Sequence, residues 1–108
     1  MAPPQNPAQA PIKDTLEPER ALELSELFKS LGDPTRVRIL GALSLHERRV
    51  GELAKELEVS QSALSHQLRI LRAQRIVTFR KEGKSAYYRL MNDSVMAVVR
   101  AGLAHCDR

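Results

Sequence analysis

The sequence predicts one mainly α-helical domain that carries a two-stranded β-hairpin between its fourth and fifth helices. Three observations lead to this fold class. Apolar residues recur three and four positions apart over most of residues 17–75, as they do in helices that bury one face. Two runs rich in β-branched and aromatic residues, 76–80 and 86–90, flank a glycine-containing connector, as in a hairpin. Strong helix starts at Asp33 and Ser60 divide the helical part.

The segment 1–15 precedes the predicted domain. It holds four prolines among alanine, glutamine and asparagine. Such a segment buries too little apolar surface to offset the entropy lost on ordering, so we expect a disordered Pro-rich tail. Residues 16–108 then form a single domain, which is small enough to gain stability by pairing with a copy of itself.

Capping residues bound the first two helices. The first begins near Glu17 and ends at Gly32, because glycine is common just past a helix end. Asp33 is a strong N-cap and Pro34 is favoured at the first helical position, so a second helix starts there. The polar connector 45–49 follows it.

The next two helices are short and closely connected. We predict one helix over 50–57 and another over 61–74, joined through Ser60, which can cap the second. On the second of them, leucines form one face, and small or polar side chains with one cation form another. The leucines are Leu64, Leu68 and Leu71, and the polar face consists of Ser62, Ser65, His66 and Arg69.

The rest of the chain supplies a hairpin and a final helix. The strands 76–80 and 86–90 are joined by the connector 81–85. The last helix begins at Asn92 or Asp93, either of which can cap it, and runs nearly to the end of the sequence. Two short helices followed by a basic hairpin indicate a winged helix-turn-helix of order α-α-α-α-β-β-α, in which the hairpin is the wing.

The distribution of charge favours a nucleic-acid partner. The net charge of the 108 residues is only +4, which is a weak indication by itself. Seven of the basic residues and one acidic residue lie within 60–90, so this segment carries +6 and the remainder −2. Positive charge is therefore concentrated on the predicted second helix of the motif and on the wing.

The polar face of that helix suits a DNA groove. A helix that enters the major groove, about 12 Å wide, must present small or polar side chains that can bond to base edges or phosphates. Cations at the hairpin tip suit the phosphate backbone or the minor groove. We therefore predict a sequence-specific regulator of double-stranded DNA. The predicted contacts are Ser60, Gln61, Ser62, Ser65, His66, Arg69, Arg80, Lys81 and Lys84.

Three stretches, 28–40, 60–71 and 80–88, resemble the ArsR/SmtB family of bacterial transcriptional repressors. The most specific runs are Leu-Gly-Asp-Pro-Thr-Arg at 31–36 and Ser-His-Gln-Leu-Arg at 65–69. The resemblance implies a homodimer built on the first and last helices, and repression that ends when a small inducer binds. The apolar residues predicted at the dimer interface are Leu24, Leu27, Phe28, Val95, Val99 and Leu103.

The resemblance also implies metal sites, and most of their ligand positions are replaced here. Arg49 and Gly51 stand where a site on the short helix would have thiolates. On the last helix the matching positions hold Asn92, Ser94, His105 and Arg108, of which only His105 is a suitable ligand. The remaining candidates are His105 and the adjacent Cys106, which suit Ni²⁺ or Zn²⁺ if a dimer brings two copies together. An intermolecular disulfide at Cys106 is a further alternative.

The residues disfavour two other classes of function. A winged-helix module that binds protein would show apolar residues on the exposed face of the fourth helix, where this sequence has polar ones. An enzyme would need a phosphate-binding loop, a paired nucleophile or a carboxylate pair, and none is visible. A repressor that does not respond to metal also stays open. The single cysteine and the lack of a signal-peptide pattern predict a cytoplasmic location.

Overall fold

The computed structural model describes residues 16–107, so the predicted tail, 1–15, lies outside the described residues. Five helices and three strands follow one another in the predicted order, with one short strand added. They are α1 (Pro18–Leu31), α2 (Pro34–Leu43), β1 (Arg48–Arg49), α3 (Val50–Leu57), α4 (Gln61–Ala73), β2 (Val77–Glu82), β3 (Ser85–Leu90) and α5 (Ser94–Cys106). No helix in this part of the chain is both long enough and apolar enough to cross a membrane.

The capping residues explain where α2 and α4 begin. The side chain of Asp33 accepts a hydrogen bond from the backbone N–H of Arg36 at 3.0 Å, and Pro34 occupies the first helical position. The hydroxyl oxygen of Ser60 accepts from the backbone N–H of Ala63 at 3.1 Å. Both starts agree with the sequence prediction.

The sheet differs from the predicted hairpin in two respects. The two residues of β1 pair with β3, so the sheet has three antiparallel strands in the order β1-β3-β2. The strands β2 and β3 pair as far as Glu82 opposite Ser85, so their loop is Gly83 and Lys84 rather than the predicted five residues. Gly83 has a φ of 62°, a conformation that only glycine adopts readily and that tight hairpin loops require.

The hydrophobic core lies where α2, α3, α4 and the start of β2 meet. Three leucines on one side of α4 are completely buried in it, as the helical spacing predicted. The first turn of α5 closes the core, and Val95 is only 9% exposed there. Val95 was predicted at the dimer interface, but its side chain already packs in the core of one chain. The core consists of Ile39, Leu40, Ala42, Leu43, Leu53, Ala54, Leu57, Leu64, Leu68, Leu71, Ile76, Val77, Val95 and Met96.

The helices α1 and α5 leave apolar side chains uncovered. On α1, Ser30 is the one buried residue, while Phe28 is 52% exposed. On α5, Leu103 is 54% exposed. Apart from the first turn of α5, these helices leave much of their apolar surface uncovered in a single chain, so that surface is available to another molecule.

Candidate nucleic-acid interface

The helix α4 presents a polar face to solvent because its apolar face is held in the core. Leu64, Leu68 and Leu71 are completely buried. Their burial fixes the rotation of the helix about its axis and turns the opposite side chains outward. The predicted contact residues on and beside α4 are exposed, namely Ser60, Gln61, Ser62, Ser65, His66 and Arg69.

The wing places two further cations in solvent. Lys81 lies near the end of β2 and Lys84 in the two-residue loop, and both are exposed. The sharp turn at Gly83 brings β3 back antiparallel to β2 and leaves the loop at the tip of the sheet. The predicted wing residues are therefore displayed at one end of the hairpin.

An open groove of about 570 Å³ joins the wing to the helices. It runs between the start of α3, the first turns of α4 and the hairpin tip, so it unites Gln61 and Ser65 with Lys84. Two cations that also line the groove, Arg49 and Lys55, were not among the predicted DNA contacts. The fold places the start of α3 beside the hairpin tip. This proximity could not be predicted from any local pattern in the sequence. The lining residues are Arg49, Val50, Gly51, Glu52, Lys55, Gln61, Ser65, Lys84, Ser85 and Ala86.

The guanidinium of Arg80 is held by neighbouring side chains. It donates to both carboxylate oxygens of Glu47, the closest contact being 2.6 Å, and to Glu82 at 2.6 Å. It also lies 4.6 Å from the centre of the Tyr87 ring. The hydrogen bonds from Arg80 hold the pKa of Glu47 below its ordinary value, and they raise the pKa of Arg80. The carboxylates of Glu47 and Glu82 therefore offset much of the charge of Arg80, which was predicted as a DNA contact.

An aromatic stack ties α4 to the wing. The guanidinium of Arg72, in the last turn of α4, lies 4.3 Å from the centre of the Phe79 ring. On β3, the ring of Tyr88 stacks on Phe79 with 5.3 Å between the ring centres. A cation over an aromatic face is attracted by the ring quadrupole. The wing and α4 are therefore joined by a side-chain contact as well as by the connecting backbone.

The candidate metal ligands do not form a site within one chain. Among residues 16–107 there is no group of three or more His, Cys, Asp and Glu side chains that could hold an ion. The side-chain oxygen of Asn92 accepts from the backbone N–H and the hydroxyl of Ser94. His105 and the exposed Cys106 are consecutive on α5, so their side chains point in different directions. The donors that residues 16–107 of a single chain supply therefore do not fit a closed metal site, which has four ligands.

Comparison with known proteins places this geometry in a family. A model of the family described as bacterial regulatory protein, arsR family, matches residues 33–78. A transcriptional repressor SmtB homolog of Synechocystis is 44% identical over 87 residues, which cover 81% of this chain and 66% of the relative. A cadmium resistance transcriptional regulatory protein CadC homolog of Staphylococcus aureus is 37% identical over 94 residues, which cover 86% of this chain and 78% of the relative. The chain belongs to the ArsR family of bacterial regulatory proteins.

Solved structures show how far this ArsR-family chain shares its fold. The antimony-specific transcriptional repressor AntR superposes with a TM-score of 0.82 at 29% identity, over 98% of this chain and 96% of AntR. A homodimeric winged helix-turn-helix DNA-binding domain from Mycobacterium bovis superposes with a TM-score of 0.74 at 24% identity, over 89% of this chain and 91% of that domain. The predicted winged helix-turn-helix fold is confirmed. The prediction of a DNA-binding transcriptional regulator that is not an enzyme is confirmed as well.

Proposed function

We propose that this ArsR-family protein represses transcription as a homodimer that inserts α4 of each copy into the major groove of a palindromic operator. The observation that carries the proposal is the division of α4 into a buried leucine face and an exposed face of small polar side chains. The N-terminal N–H groups of a helix and short hydroxyl side chains can reach phosphates and base edges. The wing tip then lies along the backbone, where its lysines meet phosphates.

The exposed apolar side chains of α1 and α5 support the homodimer. A monomer that left them in water would expose a patch of the kind that marks a protein interface. The proposed interface residues that remain uncovered or partly covered in one chain are Leu24, Leu27, Phe28, Val99 and Leu103. Two recognition helices in such a dimer must lie about 34–36 Å apart to meet successive major grooves on one face of DNA.

Replacing Arg69 by alanine tests whether α4 reads the operator. Arg69 is exposed on α4, one turn after Ser65, so we expect the variant to fold and dimerise normally. Because it lacks one contact to a base or phosphate, it should bind DNA about tenfold more weakly. The probe is the duplex that the wild-type protein selects from a randomised pool, and fluorescence anisotropy measures its binding.

Two further measurements are the controls for the Arg69→Ala result: a salt titration of the wild-type protein and a second arginine variant. The affinity of the wild-type protein must fall steeply as salt rises from about 50 to 200 mM, because phosphate contacts release counterions. Arg100→Ala removes the same charge from an exposed position on α5 and should leave the affinity unchanged. An Arg69→Ala variant with wild-type affinity would remove Arg69 from the interface. A wild-type protein that selects no duplex would contradict DNA binding itself and favour a protein partner.

In this proposal a small ligand releases the operator, and transition-metal ions are the first class to test. The donors within residues 16–107 of one chain do not make a site, so a metal at the end of α5 would need His105 or Cys106 from both copies. We expect Cys106→Ser to bind the selected duplex as the wild-type protein does without metal, and to lose any release caused by Ni²⁺, Zn²⁺, Co²⁺ or Cu⁺. Release that survives in the variant lacking both His105 and Cys106 would place the metal elsewhere, and release by none of these ions would indicate an inducer that is not a metal.

A further inference from the structure

Arg36 connects two helices that hardly touch one another. Its side chain Nε donates to the Oε1 of Gln67, in the middle of α4, at 2.7 Å. Its Nη1 lies 3.4 Å from the carbonyl oxygens of Lys29 and Ser30, which belong to the last turn of α1. The main neighbour of α1 is α2, and α4 packs against α2, α3 and β2. Arg36 therefore provides a direct polar link from the end of α1 to α4.

The position of Arg36 makes this link well defined. Its backbone N–H donates to the cap Asp33, so the base of the side chain is fixed at the start of α2. The last carbonyls of a helix lack intrahelical partners and form the negative end of its dipole, so a guanidinium there is favourable. An arginine can satisfy two directions at once because its donors lie on different nitrogens of a planar group, whereas a lysine has a single nitrogen.

This hydrogen-bonded link joins α1, which we place in the dimer interface, to α4, which we propose as the recognition helix. We propose that Arg36 and Gln67 are a positioning pair that holds α4 at a fixed angle to the dimer axis and thereby sets the half-site spacing that the dimer accepts. This inference rests on the proposed function, because it needs a dimer through α1 and α5 and DNA contact through α4. Gln67 is partly buried on the same helix that carries the exposed Ser65, His66 and Arg69, so a hydrogen bond to Gln67 acts on the orientation of α4 as a whole.

Arg38 supplies a matched control on the same helix. Its Nη1 donates to the carbonyl oxygen of Leu57, at the end of α3, at 3.2 Å. Arg36→Met and Arg38→Met remove the same positive charge from α2, and each removes hydrogen bonds that a guanidinium donates to another helix. They differ in the helices to which the lost contacts lead, namely α1 and α4 for Arg36 but α3 for Arg38.

The test compares three duplexes. The first is the palindromic duplex that the wild-type protein selects from a randomised pool, the second has one base pair added between its half-sites, and the third is an unrelated duplex of equal length. A charge-assisted hydrogen bond contributes enough that Arg36→Met and Gln67→Met should each bind the selected duplex about tenfold more weakly. Their preference for the selected duplex over the spaced one should also fall about tenfold, while Arg38→Met keeps the wild-type preference.

Further readouts separate positioning from general damage. Sedimentation and circular dichroism should show wild-type dimers and helix content for all variants. The double variant Arg36→Met with Gln67→Met should be no worse than either single variant, because both remove one interaction. If Arg36→Met fails to fold, Gln67→Met carries the test, since it keeps the contacts of Arg36 with α1. A wild-type spacing preference in Gln67→Met would overturn the inference while the proposed function stands, whereas a wild-type protein that selects no duplex would overturn both.

Discussion

Replacing Phe28 by glutamate should convert the protein from a dimer to a monomer and abolish tight operator binding. Phe28 is 52% exposed on α1 in a single chain, within the surface that we propose a second copy covers. A carboxylate buried in an apolar interface without a partner is costly, so the dimer should dissociate. Two half-sites bound by one dimer gain affinity because the second contact is intramolecular, and a monomer loses that gain, which amounts to at least about a hundredfold.

Sedimentation at micromolar concentration and anisotropy with the selected duplex measure the two effects together. Leu103→Glu, on α5, should behave in the same way because Leu103 is 54% exposed. Leu45→Glu is the control, since Leu45 is 73% exposed in the connector before β1 and lies outside the proposed interface. A Phe28→Glu variant that sediments as a dimer would show that the interface uses other surfaces.

Replacing Leu68 by alanine should lower the free energy of unfolding by about 2–5 kcal/mol. Leu68 is completely buried at the centre of the α4 leucine face, so the change leaves a cavity in the core. A small domain has about 5–15 kcal/mol in total, so this loss is a large fraction of the stability and the variant should unfold at a lower temperature than the wild type. Urea titration followed by circular dichroism measures the loss.

The exposed face of the same helix provides the matched variant. Ser65→Ala changes an exposed side chain three residues earlier on α4, so its stability should stay within about 0.5 kcal/mol of wild type. Its affinity for the selected duplex should nevertheless fall, because Ser65 lies in the groove between α4 and the wing. Equal loss of stability in both variants would contradict the two-faced arrangement of α4.

Local signals in the sequence were sufficient for the helices and for the α4 face. Asp33 and Ser60 cap helices in the structure as their residue types predict. The leucine spacing of α4 predicted which residues are buried, because a helix held by one face has only one rotation that buries them. The wing was also predicted, since its strands are rich in β-branched and aromatic residues on both sides of Gly83.

Contacts between distant residues could not be predicted in the same way. The strand β1 has only two residues, too few for a period, and it exists because Arg48 and Arg49 lie opposite Tyr88 and Tyr87. The bond from Arg80 to Glu47 joins residues 33 apart, and the bond from Arg36 to Gln67 joins residues 31 apart. A single sequence records the charges in each pair but not their proximity, which depends on how the helices pack. For this reason, Arg80 was predicted as a DNA contact without account of its carboxylate partners, Glu47 and Glu82.

The stack of Arg72, Phe79 and Tyr88 affects the thermodynamics of association. Because these side chains join the wing to α4, we expect the hairpin to keep its shape in the free protein. In the proposed complex, the conformational entropy that a flexible wing would lose on reaching the duplex would already be lost during folding. Encounter with DNA then requires no slow ordering of the hairpin, so the rate of association depends on diffusion, charge steering and the alignment of two rigid surfaces.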